Sequence, residues 1–489
     1  MDESAMTKPA STPTAKTAIR STSASIRDAA AREAHQRDDL LRDAATRGAR
    51  YLAQLDSRAV APTPAAIARL AELGGPLPDG PTDAAEVLAL LDDIVSPATM
   101  GMAGPRFFGF VIGGSLPVTV AANWLAGAWD QNTGLIIATP GTARLEDVAL
   151  EWLVDALGLP AGTGAGFVTG ATMANFTALA AARHAVLRRA GWDVEAQGLF
   201  GAPPITVIVG EEAHSTLFKA LGMVGFGRER VVRVPVDGQG RMRADAFPAA
   251  VANVSGPAIV CLQAGNINTG AFDPFTEIIP LARNLGAWVH VDGAFGLWAA
   301  ATPQRAHLVA GIAAADSWGT DAHKWLNVPY DSGLAFVRDP EPLRAAMSVT
   351  AAYLPQSEQR EPSQFTPELS RRARGVEVWT ALRALGRSGL AELIDRCCRH
   401  AARFAQGLRA AGYEVLNEVV LNQVLVSFGA PEVTQRVIAG IQEDGTCWCG
   451  GTVWQGRTAM RISVSSWATT EADVEQSLDA MLRVARERA

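Results

Sequence analysis

A chain of 489 residues, 48% of them apolar and 19% charged, has ample material for a packed core and excludes a fibrous or disordered class. With 43 basic against 50 acidic side chains, a net charge of −7 and no long basic stripe, it carries no nucleic-acid footprint. Five cysteines, Cys261, Cys397, Cys398, Cys447 and Cys449, are odd in number and lack a disulfide-framework spacing, which points to a reducing cytoplasm. The Cys447/Cys449 pair has no nearby third ligand of the usual spacing, so no metal is expected.

Residues 1–25 are rich in Ser, Thr, Ala and Pro and contain no apolar run long enough for a signal peptide or a membrane span; they are expected to form a disordered tail. From 26 to 105 the pattern is helical and amphipathic, broken by "GGPLPDGPTD", and such helices could pack on a partner subunit as easily as on their own chain. Between 106 and 345 short β-rich runs, "GFVT", "ITVIVG", "AIVCLQAG", "AWVHVDGAF" and "SGLAFV", alternate with helix-period stretches such as "MANFTALAAARHAVLRRAG" and "TEIIPLARNLG". That alternation predicts an α/β domain with a mostly parallel sheet covered by helices, its ligands at the carboxyl ends of the strands. Residues 346–489, a long helical stretch followed by "YEVL", "NQVLVSF" and "AMRISVS", read as a smaller α+β domain.

Four features on this frame can carry chemistry. Lys324, in "DSWGTDAHKWL", is the only lysine after Lys219 in a chain that otherwise uses arginine. An amine that can lose its proton and condense with a carbonyl is something arginine cannot supply. In "GFVTGATMANF" a strand turns at Gly170 into a helix whose free N–H groups could cradle a phosphate, or which is simply a capped structural helix. Asp292, at the end of "WVHVD", either caps a loop or holds a positive charge, and His214, after "ITVIVG", is either structural or catalytic. The earlier "GTGAG" precedes its strand, which argues against a dinucleotide fingerprint. An anion cradle, a strand-end acid, a histidine and an imine-forming lysine are together the parts that hold one cofactor.

Over residues 35–475 that combination resembles the fold-type I pyridoxal-5′-phosphate enzymes, and specifically the group II amino-acid decarboxylases. The most specific stretch is "DSWGTDAHKWL", with Ser317 and His323 in their usual places; "PRFFGFVIGGSLPVTVAANWLAGAWDQN" and "ATPGTARLEDVALEWLVDALGLP" are similar to the family's substrate-entry region and the helix after it. The resemblance implies pyridoxal 5′-phosphate as cofactor, bound as an imine to Lys324. It implies that Asp292 pairs with the pyridine nitrogen, that Ala294 and His214 lie on opposite faces of the ring, and that Ala171, Thr172 and His323 hold the phosphate. The reaction it implies is decarboxylation of an L-amino acid to an amine in a cytoplasmic homodimer with shared sites, with no nucleic acid or membrane as partner.

For the substrate, Phe110, Trp129 and Asn132 are expected to line the pocket, the segment around Trp129 and Asn132 reaching in from the other subunit. Asn132 and Gly134 stand where aromatic decarboxylases tend to be more apolar, and Arg461 could meet a carboxylate or be structural. The family's mobile-loop tyrosine, which returns a proton to the substrate, has no counterpart in "LPQSEQREPSQFTPE"; Tyr353 at the start of the loop and Phe365 within it are the nearest positions. Slow protonation would open the alternative of oxidative decarboxylation to an aldehyde, and another lyase reaction on the same cofactor is the remaining alternative.

Overall fold

A computed structural model describes residues 15–349 and 359–488, with side-chain positions from residue 33 onward. Of the expected tail, residues 1–14 lie outside the described residues, and a helix begins at Ala15, inside the stretch expected to lack structure. The chain divides into two compact units, Met1–Arg58 with Pro62–Met100, and Ala59–Ala61 with Gly101–Ala489.

The first unit is helical: α1 (Ala15–Gln54), α2 (Pro64–Arg69) and α3 (Ala84–Ala98). Asp83 starts α3 by accepting from the N–H groups of Ala85 and Glu86, and Asp92 on α3 receives Arg47 Nη1 of α1 at 3.0 Å. Val87, Leu90 and Leu91 of α3 are each about half exposed.

The second unit opens with α4 (Pro117–Trp129), α5 (Pro140–Ala156) and α6 (Ala171–Arg189). Its main sheet contains β1 (Gly164–Val168), β2 (Thr206–Gly210), β3 (Val231–Val234), β4 (Ala258–Gln263), β5 (Trp288–Asp292), β6 (Ser317–Asp321) and β7 (Gly333–Val337). The order is β1-β7-β6-β5-β4-β2-β3, with β7 antiparallel to both neighbours and every other pair parallel. β4 and β7 are apolar runs buried almost throughout, as expected of strands covered on both faces. β3 and β6 are not legible in this way. β6 reads Ser-Trp-Gly-Thr-Asp, because its positions are occupied by residues that build the site.

α6 packs on β5, β6 and β7 and is buried nearly all round, which explains its alanines. Its entry requires glycine from two sides. A Cβ on Gly333 would lie 2.5 Å from Gly170 Cα, so strand β7 and the β1–α6 turn can approach only as bare backbone. The same unit carries an antiparallel sheet of β8 (Glu414–Val415), β9 (Gln423–Ser427), β10 (Gly450–Trp454) and β11 (Arg457–Ser463), in the order β10-β11-β9-β8. The helical stretch Gly375–Ala410, broken at Gly386 by a φ of 60°, packs against β9 and falls within the helical stretch read from the sequence.

Candidate active site

Parallel strands deliver their carboxyl ends to one edge of a sheet, and that edge is where the polar residues converge. β5 ends in Asp292 and β6 ends in Asp321, one step before the single turn Ala322–Trp325 that carries His323 and Lys324. Lys324 Nζ lies 2.9 Å from Asp321 Oδ2, with only 18% of the lysine side chain exposed. The other oxygen, Asp321 Oδ1, accepts the N–H of Ala171, the first residue of α6, at 2.5 Å and stands 3.5 Å from His323 Nε2. An internal carboxylate thus satisfies the helix N–H group that the sequence had assigned to an anion.

Asp292 is 4% exposed and accepts from Asn175 Nδ2 at 3.0 Å and from Ala294 N–H at 3.2 Å. Ala294 in turn accepts the N–H of Asp321 at 3.0 Å, so the two strand-end acids are tied through one backbone link. His323 accepts the N–H of Ser332 on Nδ1 at 3.1 Å and stacks on Tyr330 with ring centres 4.1 Å apart. Burial lowers its pKa, with Lys324 adding to the shift and Asp321 opposing it. Thr172 is half-buried beside Ala171 at the start of α6.

His214 caps the helix Ser215–Val224, its Nδ1 accepting Thr216 N–H at 3.3 Å and lying 2.7 Å from Thr216 Oγ1. A backbone N–H can only donate, so Nδ1 is the acceptor and Nε2 carries the proton of the neutral ring. Burial depresses the His214 pKa; Asp292 and Asp321 pull it up, Lys324 and Arg461 push it down. Arg461 on β11 has a buried Nε with no partner and one long contact, Nη1 to Asn268 at 3.4 Å. Burial lowers its pKa to about 10, so a cation is held here largely without a counter-ion.

The remaining sequence candidates have these surroundings. Phe110 is 57% exposed, has a left-handed φ of 52° and stacks on Trp448 at 5.9 Å. Trp129 is about half exposed at the end of α4. Asn132 bonds to Ser370 and to the N–H of Arg371, and lines a separate pocket of about 650 Å3 with Asp130, Gln131 and Arg372. Phe365 is buried under the Arg360 guanidinium at 4.6 Å and its carbonyl lies against Gly166 of β1. Tyr353 lies outside the described residues.

Sequence reasoning missed Asp321, Asn175 and Asn327. Asp321 was visible as the acid three residues before the lysine, at a spacing that faces it on one helical turn. Asn327, fully buried with φ 54°, gives its amide to the carbonyls of Lys324, Trp325 and Ser465 and accepts Trp467 N–H, pinning the lysine turn to the segment after β11. The entry segment is fixed by a different device: a Cβ on Gly113 would sit 1.7 Å from the Lys324 carbonyl oxygen, so only glycine allows the contact.

These residues fit a group with an aldehyde, a basic ring nitrogen and a phosphate: a buried amine, a buried acid on the next strand, and a helix start whose N–H group meets an acid side chain. The comparisons agree. The model of the family described as "Pyridoxal-dependent decarboxylase conserved domain" matches residues 69–430. An aromatic-L-amino-acid decarboxylase from Bacillus atrophaeus is 27% identical over 415 residues, covering 81% of this chain and 84% of that protein. Tryptophan decarboxylase 1 from Oryza sativa subsp. japonica is 27% identical over 452 residues, covering 83% and 86%. The crystal structure of Oryza sativa TDC with PLP and tryptamine superimposes with a TM-score of 0.85 at 24% identity over 92% of this chain and 97% of that one, a likeness of fold. The chain therefore belongs to the pyridoxal-dependent decarboxylase family, and it is a carboxy-lyase that converts an L-amino acid to its amine with pyridoxal 5′-phosphate as cofactor.

Proposed function

We propose that Lys324 is the residue that binds the cofactor covalently, that Asp292 faces the ring nitrogen, and that Ala294 and His214 bracket the ring. The observation that carries this is the placement of two largely buried groups at the carboxyl ends of neighbouring parallel strands, Asp292 ending β5 and Lys324 on the turn directly after β6, with Asp292 paired in register to Gly319. When bound, the cofactor supplies an electron sink for the bond broken at the substrate's Cα. Asp292, which accepts from Asn175 and Ala294, would hold a proton at the ring nitrogen and so maintain that sink. Ala171, Thr172 and His323 would receive the phosphate, and Asp321 would give up the Ala171 N–H while keeping Lys324 oriented. Arg461, a buried cation with an unpartnered Nε, would take the substrate's carboxylate. His214, with its proton on Nε2, is the candidate to return a proton to Cα.

The functional unit we infer is a homodimer. Asn132 lines a pocket apart from Lys324, Trp129 stands half exposed, and Trp124, Leu125 and Ile137 expose further apolar surface, so this region has the character of a face that another copy covers. Phe110, Trp129 and Asn132 would then meet the substrate across that interface. No helix among the described residues is long and apolar enough to cross a membrane, and all five cysteines are unpaired and buried, which supports a reducing cytoplasm.

The test is to load the protein with pyridoxal 5′-phosphate, supply the amino-acid set in air, and follow carbon dioxide, amine, ammonia and peroxide together. One amine per carbon dioxide, without peroxide, is the expected result. Stoichiometric peroxide and ammonia would instead mean that protonation at Cα is too slow to compete with oxygen.

A further inference from the structure

Beneath Asp292 runs a line of polar side chains of which the chemistry above uses only Asn175. Side chains alternate faces along a strand, so Trp288, His290 and Asp292 of β5 share one face while Val289 and Val291 take the other. On β6, Ser317 stands opposite His290 and Gly319 opposite Asp292. A Cβ on Gly319 would come within 2.7 Å of Asn175 Oδ1, so the bare glycine is what admits the Asn175 amide from α6.

Four hydrogen bonds join these groups end to end. Trp288 Nε1 lies 2.9 Å from Ser317 Oγ, Ser317 Oγ 3.0 Å from His290 Nδ1, His290 Nε2 3.0 Å from Asn175 Oδ1, and Asn175 Nδ2 3.0 Å from Asp292 Oδ2. His290, Ser317 and Asn175 are wholly buried. Donor and acceptor types fix the direction. An indole N–H only donates, so Ser317 accepts from Trp288 and its own hydrogen goes to His290 Nδ1. An ionised carboxylate only accepts, so Asn175 turns its Nδ2 to Asp292 and its Oδ1 to His290, whose proton must be on Nε2. Both ends demand the same tautomer. Burial pushes the His290 pKa down to about 3, which keeps the ring neutral with that single proton.

We propose that Trp288, Ser317, His290 and Asn175 form a one-directional chain of donors that fixes Asp292 as an acceptor in a single orientation and thereby holds the proton on the cofactor's ring nitrogen. The proposal rests on Asp292 facing that nitrogen, as argued above. All four are positioning residues, acting through Asp292. Without His290 the Asn175 amide loses the donor that selects its orientation, and a rotated amide would set its oxygen against the carboxylate.

The experiment loads wild type, His290→Leu, His290→Gln, Ser317→Ala and Asp292→Asn with cofactor labelled with 15N at the ring nitrogen, and reads that nitrogen's chemical shift. Turnover is measured in parallel with the natural cofactor and with its analogue carrying CH in place of the nitrogen. His290→Leu should lose the protonated-nitrogen shift and about 10- to 100-fold in kcat with the natural cofactor, the range for removing a group that orients a ligand. With the analogue it should match wild type, and His290→Gln, which restores an N–H donor, should recover much of the signal. A protonated shift retained in His290→Leu, or an equal loss with both cofactors, overturns the proposal. If His290→Leu does not fold, Ser317→Ala decides on the nitrogen shift alone, since it deletes one hydroxyl. A nitrogen still protonated in Asp292→Asn would mean that Asp292 does not face it; a nitrogen lost there but kept in His290→Leu would sink only the donor chain.

Discussion

Lys324→Ala is expected to lower decarboxylation by about 10²- to 10⁴-fold even with cofactor in excess, the range that a positioned proton-transfer group contributes, and to abolish the visible absorbance of the covalently bound form. The lysine is the one primary amine in the cluster, and its geometry leaves no substitute: His323 is turned onto Ser332 and Tyr330, and Arg461 cannot lose its proton and condense with a carbonyl. Folding should survive, because the lysine turn is held by Asn327 and not by the amine. Asp321 would then be left without its ion-pair partner, still accepting from Ala171. Partial recovery of turnover on adding a small free amine would separate lost chemistry from lost structure. A variant with unchanged turnover and spectrum would contradict the assignment of Lys324.

Asp292→Asn should keep the cofactor but lose most of its turnover. The side chains have the same shape, and the Asn oxygen can still accept from Ala294 or Asn175, so the strand end has no cause to collapse. What is lost is the charge that keeps the ring nitrogen protonated. Each pKa unit lost there corresponds to about 1.4 kcal/mol of differential stabilisation, so a drop of three units would cost about 10³ in rate if the transition state depended fully on that proton. Cofactor content and kcat are the measurements. Near-normal kcat with full cofactor would mean that Asp292 only caps its loop.

The parts of the fold legible in the sequence are those where burial alone chose the residues. β4 and β7 are continuous apolar runs because both faces of the sheet are covered, and the helix Gly375–Ala410 shows its period plainly. β6 escaped because Ser317, Gly319 and Asp321 are fixed by neighbours in space, Ser317 by Trp288 and His290, Gly319 by Asn175, Asp321 by Lys324 and Ala171. None of those partners is near in sequence except the lysine. Lys324, Asp292 and His214 stand out in the sequence because each is an ionisable group at the end of a strand or the start of a helix, and their proposed roles rest on that placement. Asn175 and His290 do not, since an asparagine in an alanine-rich helix and a histidine inside an apolar strand look like core until the register brings them together. Trp129 and Asn132 are expected to reach a substrate from another subunit, so a single chain shows only their exposure and the pocket that Asn132 lines.

The central claim is that the cofactor is attached to Lys324. Reducing the loaded protein with borohydride fixes the linkage, and digestion followed by peptide mass mapping locates it. The pyridoxyl group should be found on the peptide containing Lys324, beside Trp325. Finding it on Lys219, an exposed residue of the helix Ser215–Val224, with Lys324 unmodified, would contradict the account.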